Sequence, residues 1–263
     1  MNDDLRERSL LAVFAHPDDE SVACGGLLAW CAERGARVSL LCATHGEHGP
    51  GAGSETALRE TRALELRDAA RILGIHDVTL LSYPDGMLPW VDAAQLEADI
   101  RAAIRRIRPD VVITFGEDGL YWHPDHIAIH ERTTAAVAAL GREAPALYYV
   151  TMPPGRMRAV VDNAAETVAR QASGGRPPRL VLGIEDVDAF GALAAAPTLV
   201  VDAGAFAARK LAAIRCHRTQ LGDSALALVA ESEAARFFGI EHFRRAAIAS
   251  DAAAFIEQFA SEA

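Results

Sequence analysis

A chain of 263 residues, 51% hydrophobic and 24% charged, has the composition of a folded globular protein, and no stretch has the bias of a disordered tract. Its formal net charge of -10 excludes the basic surface that a nucleic-acid backbone requires, so nucleic acid is set aside as a partner. Cys24, Cys31, Cys42 and Cys216 show no C-x-x-C spacing, no apolar run is long enough to cross a bilayer, and the charged opening residues lack a secretory apolar stretch; the expected location is cytoplasmic.

Residues 10–14 are an apolar run that reads as a buried strand, and residues 21–34 read as the helix that follows. Between them stands Ala15-His16-Pro17-Asp18-Asp19-Glu20. In open parallel sheets, ligands collect at the carboxyl ends of strands, so a histidine and three acids at such a corner point to a site. His16 and Asp19 can face one cation across this bend, with Asp18 left beside them. The competing reading is a solvated loop whose Asp19 or Ser21 caps the helix.

Residues 37–43 form a second expected strand, ended by a glycine-rich loop over 44–51 that carries His45 and His48; for His48 a solvent loop is the simpler reading. Residues 55–73 are an amphipathic helix stopped by Gly74. A third strand over 78–81 leads to the Asp85-Gly86 turn on the same rim. A helix over 96–107 precedes a fourth strand over 111–115, which delivers Tyr121-Trp122-His123-Pro124-Asp125-His126. A helix from about 125 to 140 and a fifth strand over 147–150 follow.

Four helices thus alternate with five strands through short connections. The expected class is α/β, a Rossmann-like, mainly parallel sheet flanked by helices, with a C-terminal extension. We expect a single domain over 1–263, its core at about 8–150. No G-x-G-x-x-G follows the first strand, so dinucleotide binding is set aside. Over 151–183 the pattern loosens around Pro153-Pro154-Gly155, Gly174-Gly175 and Pro177-Pro178, which reads as a variable insert or lid. The part over 184–263 holds a strand at 198–202, a helix at 206–215 ending near His217 and Gln220, and a tail containing Glu241, His242 and Phe243 that packs back on the domain.

Two strand ends, each with a His-Pro-Asp element, supply the nitrogen and oxygen donors that zinc takes in catalytic sites. On its AHPDDE stretch (15–20) and its HPDH stretch (123–126), the chain resembles the LmbE/PIG-L-like family of zinc-dependent N-deacetylases, which act on N-acetylglucosaminyl conjugates. The resemblance implies a metal held by His16, Asp19 and His126, Zn2+ or alternatively Fe2+, with Asp18 as general base. It places Tyr121 and His123 beside the developing oxyanion; a charged His123, its other nitrogen held by Asp125, is the alternative to Asp18 as the group that protonates the departing amine. It assigns Arg62, Asp85 and His217 to substrate binding, Gln220 to closing the site alongside His217, and Thr44, Gly46 and Glu47 to the wall. His126 and His130 form an H-x-x-x-H pair, but Ile127 stands where a zincin needs glutamate, so His130 reads as a supporting or plain helix histidine.

The implied partner is a small N-acetylated sugar conjugate, such as a precursor of mycothiol or bacillithiol or a chitooligosaccharide. Homo-oligomerisation is compatible with the sequence. Two other readings stand beside this one: another amide hydrolase of the same family, and a non-catalytic metal-binding Rossmann-like protein. Neither motif contains the cysteine usual in structural zinc sites, which weighs against the last.

Overall fold

The computed structural model describes residues 4–51, 53–171, 176–248 and 253–260. In chain order, β1 (Ser9–Phe14), α1 (Asp19–Glu33), β2 (Arg37–Thr44), α2 (Glu55–Leu73), β3 (Asp77–Tyr83), α3 (Ala93–Ile107) and β4 (Val111–Phe115) build the first half. A short helical turn α4 (Gly119–Trp122), then α5 (Pro124–Ala138), β5 (Ala146–Thr151), α6 (Arg156–Arg170), β6 (Leu199–Asp202), α7 (Ala207–Ile214), α8 (Arg218–Leu221), α9 (Ala234–Phe238) and β7 (Ile240–Arg245) complete it.

One seven-stranded sheet has the order β3-β2-β1-β4-β5-β7-β6. The first five strands in that order run parallel, which confirms the expected α/β class. Every residue of β1 and β4 is buried, as a strand covered by helices on both faces requires. Helix ends follow local chemistry. Ser54 Oγ accepts the Ala57 amide at the start of α2, and Gly74 ends that helix at φ 78°; the Asp92 carboxylate accepts the Ala94 and Gln95 amides before α3. No helix among the described residues is long and apolar enough to cross a membrane.

Chain order reverses between β1 and β4: from β1 the sheet grows one way to β2 and β3, and the other way to β4 and β5. The crevice beyond the carboxyl ends of two such strands is where open α/β sheets bind ligands. Both histidine motifs leave from these two strands, so topology alone brings them to one place.

One expectation about the second half is corrected. The segment over 151–183 is no loose insert in its first part, because α6 is a regular 15-residue helix burying Met157, Val160, Val161 and Ala164; Gly174 and Gly175 lie outside the described residues. The C-terminal part packs back on the domain as expected, and it does so by strand pairing: Glu241, His242 and Phe243 belong to β7, which runs antiparallel between β5 and β6 within the main sheet.

β7 also fixes α1. That helix is broken at Cys24 (φ -146°, ψ 22°), and the backbone amides of Gly26 and Leu27 donate instead to the Glu241 carboxylate, both at 2.8 Å. Lys210 Nζ on α7 completes the carboxylate's partners at 2.6 Å, and this ion pair is almost wholly buried. A buried charge pair is tolerable only where the remaining donors and acceptors are satisfied, and here two amides do that.

Candidate active site

The turn after β1 carries His16, Asp18 and Asp19, and the turn into α5 carries His123, Asp125 and His126. Asp18 takes a positive φ of 120°, a backbone conformation that side-chain-bearing residues rarely adopt and that turns its carboxylate away from the helix it precedes. Its amide donates to Glu20 Oε2 at 3.1 Å.

Three donors converge. His16 Nδ1 lies 3.1 Å from His126 Nε2, His126 Nε2 lies 3.2 Å from Asp19 Oδ1, and His16 Nδ1 lies 3.5 Å from Asp19 Oδ2. Ligands held about 2.0–2.2 Å from one zinc ion have separations of this size. Each ring is also oriented from behind: His126 Nδ1 faces the Gly119 carbonyl at 3.1 Å, and His16 Nε2 faces Asp125 Oδ2 and Asp85 Oδ1, both at 3.1 Å. With protons on those outer nitrogens, two lone pairs point at each other across 3.1 Å. Such an arrangement needs a positive charge between them, so the residues present fit a divalent cation. Burial disfavours charge on His16, but Asp125, Asp19 and Asp85 outweigh it and hold its pKa well above the usual value. Burial likewise pushes Asp19 up, and His126 and His16 reverse this, leaving its carboxyl well below the ordinary range.

His123 lies near the same pair, with its ring centroid 4.8 Å from that of His16 and 4.6 Å from that of His126, so three imidazoles form a second candidate donor set. Its hydrogen bonding argues for another task. His123 Nδ1 accepts the Asp125 amide at 3.2 Å as the cap of α5, so in the neutral ring the proton sits on Nε2. Burial, together with the charges of His126 and His16, lowers its pKa to about 4. A neutral imidazole with an Nε2–H is a hydrogen-bond donor.

Asp125 therefore departs from its expected role. Its carboxylate accepts from Gly86 N (2.8 Å) and Leu88 N (3.0 Å) and orients His16; only its backbone amide reaches His123. Replacing Asp125 with alanine is expected to weaken metal affinity about 10–100-fold, because an oriented ligand ring loses its carboxylate. Metal competition against a chromogenic chelator measures this, and unchanged affinity would show that Asp85 alone suffices.

Asp18, His123 and Tyr121 line a cavity of about 340 Å³ together with Arg62 and Asp85. The guanidinium of Arg62, buried at 3% exposure, donates to Asp18 Oδ2 at 3.0 Å, to the Pro17 carbonyl at 2.5 Å and to the Gly46 carbonyl at 2.7 Å. Gly46 suits that place, since its φ is 67° and a Cβ would displace the end of the Arg62 side chain. Asp85 Oδ2 takes the His48 amide at 2.8 Å. Arg62 and Asp85 thus line the cavity, with most of their capacity spent on Asp18 and His16. Burial keeps the Tyr121 phenol protonated, its pKa well above the usual value.

His217 departs from expectation, since its ring is buried and meets Glu20 Oε1 at 3.0 Å rather than the cavity. Gln220 lines the cavity instead, tied to the Pro50 carbonyl at 2.7 Å. His48, read as a solvent-loop residue, joins the wall, whereas Thr44, Gly46 and Glu47 stand one layer behind it. His130 bonds the Phe115 carbonyl at 2.9 Å, a helix histidine as read. Glu20 was overlooked: wholly buried, it accepts from Asp18 N and Ser21 Oγ and meets His217 Nε2, linking the motif to the far end of the chain. The signal available was its place at the end of a strongly acidic motif.

A Rossmann-like domain with histidine and carboxylate donors gathered at its switch point is the class that fold and site define. The family model of PIG-L, GlcNAc-PI de-N-acetylase, matches residues 11–137. A 1D-myo-inositol 2-acetamido-2-deoxy-alpha-D-glucopyranoside deacetylase of Acidothermus cellulolyticus is 34% identical over 264 residues, which span 90% of this chain and 88% of that protein. The chain belongs to the PIG-L family. Among solved structures, a conserved protein of Thermus thermophilus is similar at 27% identity with a TM-score of 0.62, covering 92% of this chain and 96% of that one. The N,N'-diacetylchitobiose deacetylase of Pyrococcus horikoshii shares the fold at 23% identity and a TM-score of 0.62, covering 93% of this chain and 88% of that one.

Proposed function

We propose that this protein is a metal-dependent N-deacetylase that removes acetyl from a small N-acetylglucosamine conjugate, with Asp18 as general base and a cytoplasmic location. The observation that carries this is the convergence of His16 Nδ1, His126 Nε2 and Asp19 Oδ1 beside a cavity that Asp18 lines. The deacetylase activity of its named relatives supports the choice of an amide over another bond.

His16, Asp19 and His126 would hold a divalent cation, Zn2+ or Fe2+, which would supply Lewis acidity and lower the pKa of a water to about 7. Asp18 takes the proton from the attacking water as the water oxygen bonds to the amide carbon. Burial pushes the Asp18 carboxyl up to about 6 against the pull of Arg62, a suitable value for a base near neutrality. Arg62 keeps that carboxylate in one orientation. The Tyr121 hydroxyl and His123 Nε2–H are the donors available to the carbonyl oxygen as it becomes negative, each worth about 3 kcal/mol at the transition state. When the C–N bond breaks, the proton held by Asp18 goes to the departing nitrogen, and acetate and a free amine result.

Acetate release measured over GlcNAc-inositol, GlcNAc-malate and N,N'-diacetylchitobiose tests the reading, with chelated and metal-restored protein side by side. Release from at least one conjugate that disappears on chelation and returns with Zn2+ or Fe2+ is expected. No release from any of them by metal-restored protein would overturn it.

A further inference from the structure

The cavity has one wall that neither histidine motif builds. Val181 and Ile184 exchange two backbone hydrogen bonds, of 3.0 and 2.9 Å, so Leu182 and Gly183 are the two tip residues of a tight hairpin turn. Both have positive φ, 49° and 84°, as the favoured two-residue hairpin turn demands. Glycine accepts this freely, whereas a leucine there is strained, and strain of this kind gathers where a side chain has a job. The turn is well held: the Leu182 amide donates to Ser224 Oγ at 3.2 Å, and the Ala225 amide to the Leu180 carbonyl at 2.9 Å. Leu182 and Ile184 are partly exposed and line the cavity, as does Phe190, whose ring lies 4.5 Å from that of Tyr121.

Charge divides the same cavity. Asp18, Asp19 and Asp85 line it, and Arg62 is the only lysine or arginine among its described lining residues. Both terminal nitrogens of Arg62 are engaged by Gly46, Pro17 and Asp18. His48 faces the Asp85 carbonyl at 2.8 Å and Glu55 at 3.7 Å. An anionic group laid against Leu182, Ile184 and Phe190, rather than against the donor set of His16, Asp19 and His126, would lose its water to an apolar surface, and the terminal nitrogens of Arg62 are already engaged; a C–H face meets that surface at no such cost.

We infer that Leu182, Gly183 and Ile184, with Phe190, form the aglycone subsite and select a neutral aglycone with a C–H face over an anionic one. This rests on the proposed sugar-amide reading of the neighbouring donor set, and it adds the chemical class of the group attached to the sugar.

Two near-isosteric probes isolate charge: the α-linked 4-carbamoylphenyl and 4-carboxyphenyl N-acetylglucosaminides. Metal-restored protein should bind the carbamoyl compound, and deacetylate it by kcat/KM, at least about tenfold better than the carboxylate, with the difference in KM. Ile184→Lys should shrink or reverse that ratio. Leu182→Gly, which the positive φ favours, should weaken binding of the neutral probe without lowering the melting temperature. Equal handling of the two probes, preference for the carboxylate, binding of neither, or a ratio that neither variant moves would overturn the inference. Calorimetric preference for the neutral probe without acetate release would leave the subsite standing and bring down the deacetylase reading.

Discussion

Asp18→Asn should slow turnover by about 10²–10⁴-fold while keeping the fold and a full complement of metal, because a general base is removed and nothing else. Asparagine is the better probe than alanine. It retains an oxygen for Arg62 Nη2, and it tolerates positive φ more readily than other side-chain-bearing residues, so the turn at φ 120° survives. The donors of His16, Asp19 and His126 are untouched. Metal content, melting temperature and kcat measured on one preparation separate the outcomes. A kcat within tenfold of the parent would remove Asp18 from the role of base, whereas lost metal would show that its carboxylate shapes the donor set.

His126→Ala should instead lose the metal. Its Nε2 stands 3.1–3.2 Å from both other donors, and its ring is held in place by stacking on Phe115 at 3.9 Å with planes 4° apart. Losing a direct ligand exceeds the roughly 10–100-fold penalty of losing a carboxylate behind one, so affinity should fall by more than about 100-fold and turnover with it. His130→Ala is the matched control: the same helix and residue type, but a ring bonded to the Phe115 carbonyl, so bound metal should stay at the parent level. Equal stoichiometry in the parent and His126→Ala would eliminate the assigned donor set.

The first half of the fold was legible because its signals are local. Buried parallel strands such as residues 10–14 and 111–115 read as unbroken apolar runs, and each ends in a contiguous polar motif. That these motifs meet follows from the strand order, which the alternation of strands and helices already implied. The second half depends on pairing that no local pattern states. Residues 240–245 mix charged and apolar side chains, with Glu241 buried against Lys210 and two amides, so they read as a tail packing back on the domain and not as a strand inside the main sheet. Helix α6 carries Met157, Val160, Val161 and Ala164 at helical spacing, but the flanking prolines and glycines masked it. The Leu182 turn has no strands long enough to announce a hairpin. At the site, residue types were readable and their partners were not: sequence places Asp125 beside His123, whereas the path of the chain sends its carboxylate to His16.

The break in α1 and the carboxylate that closes it have a bearing on how the molecule can be divided. The family match ends at residue 137, which invites a minimal version cut from the front of the chain. Any truncation before Glu241 would leave the Gly26 and Leu27 amides bare, and one that falls between Lys210 and Glu241 would also strand the Lys210 ammonium in the interior, a loss of about 3–5 kcal/mol for a severed internal pair. The helix opening at Asp19 would then fray from its middle. Inheritance of the catalytic corner is therefore tied to the final strand, and a chimera that exchanges one must carry the other with it.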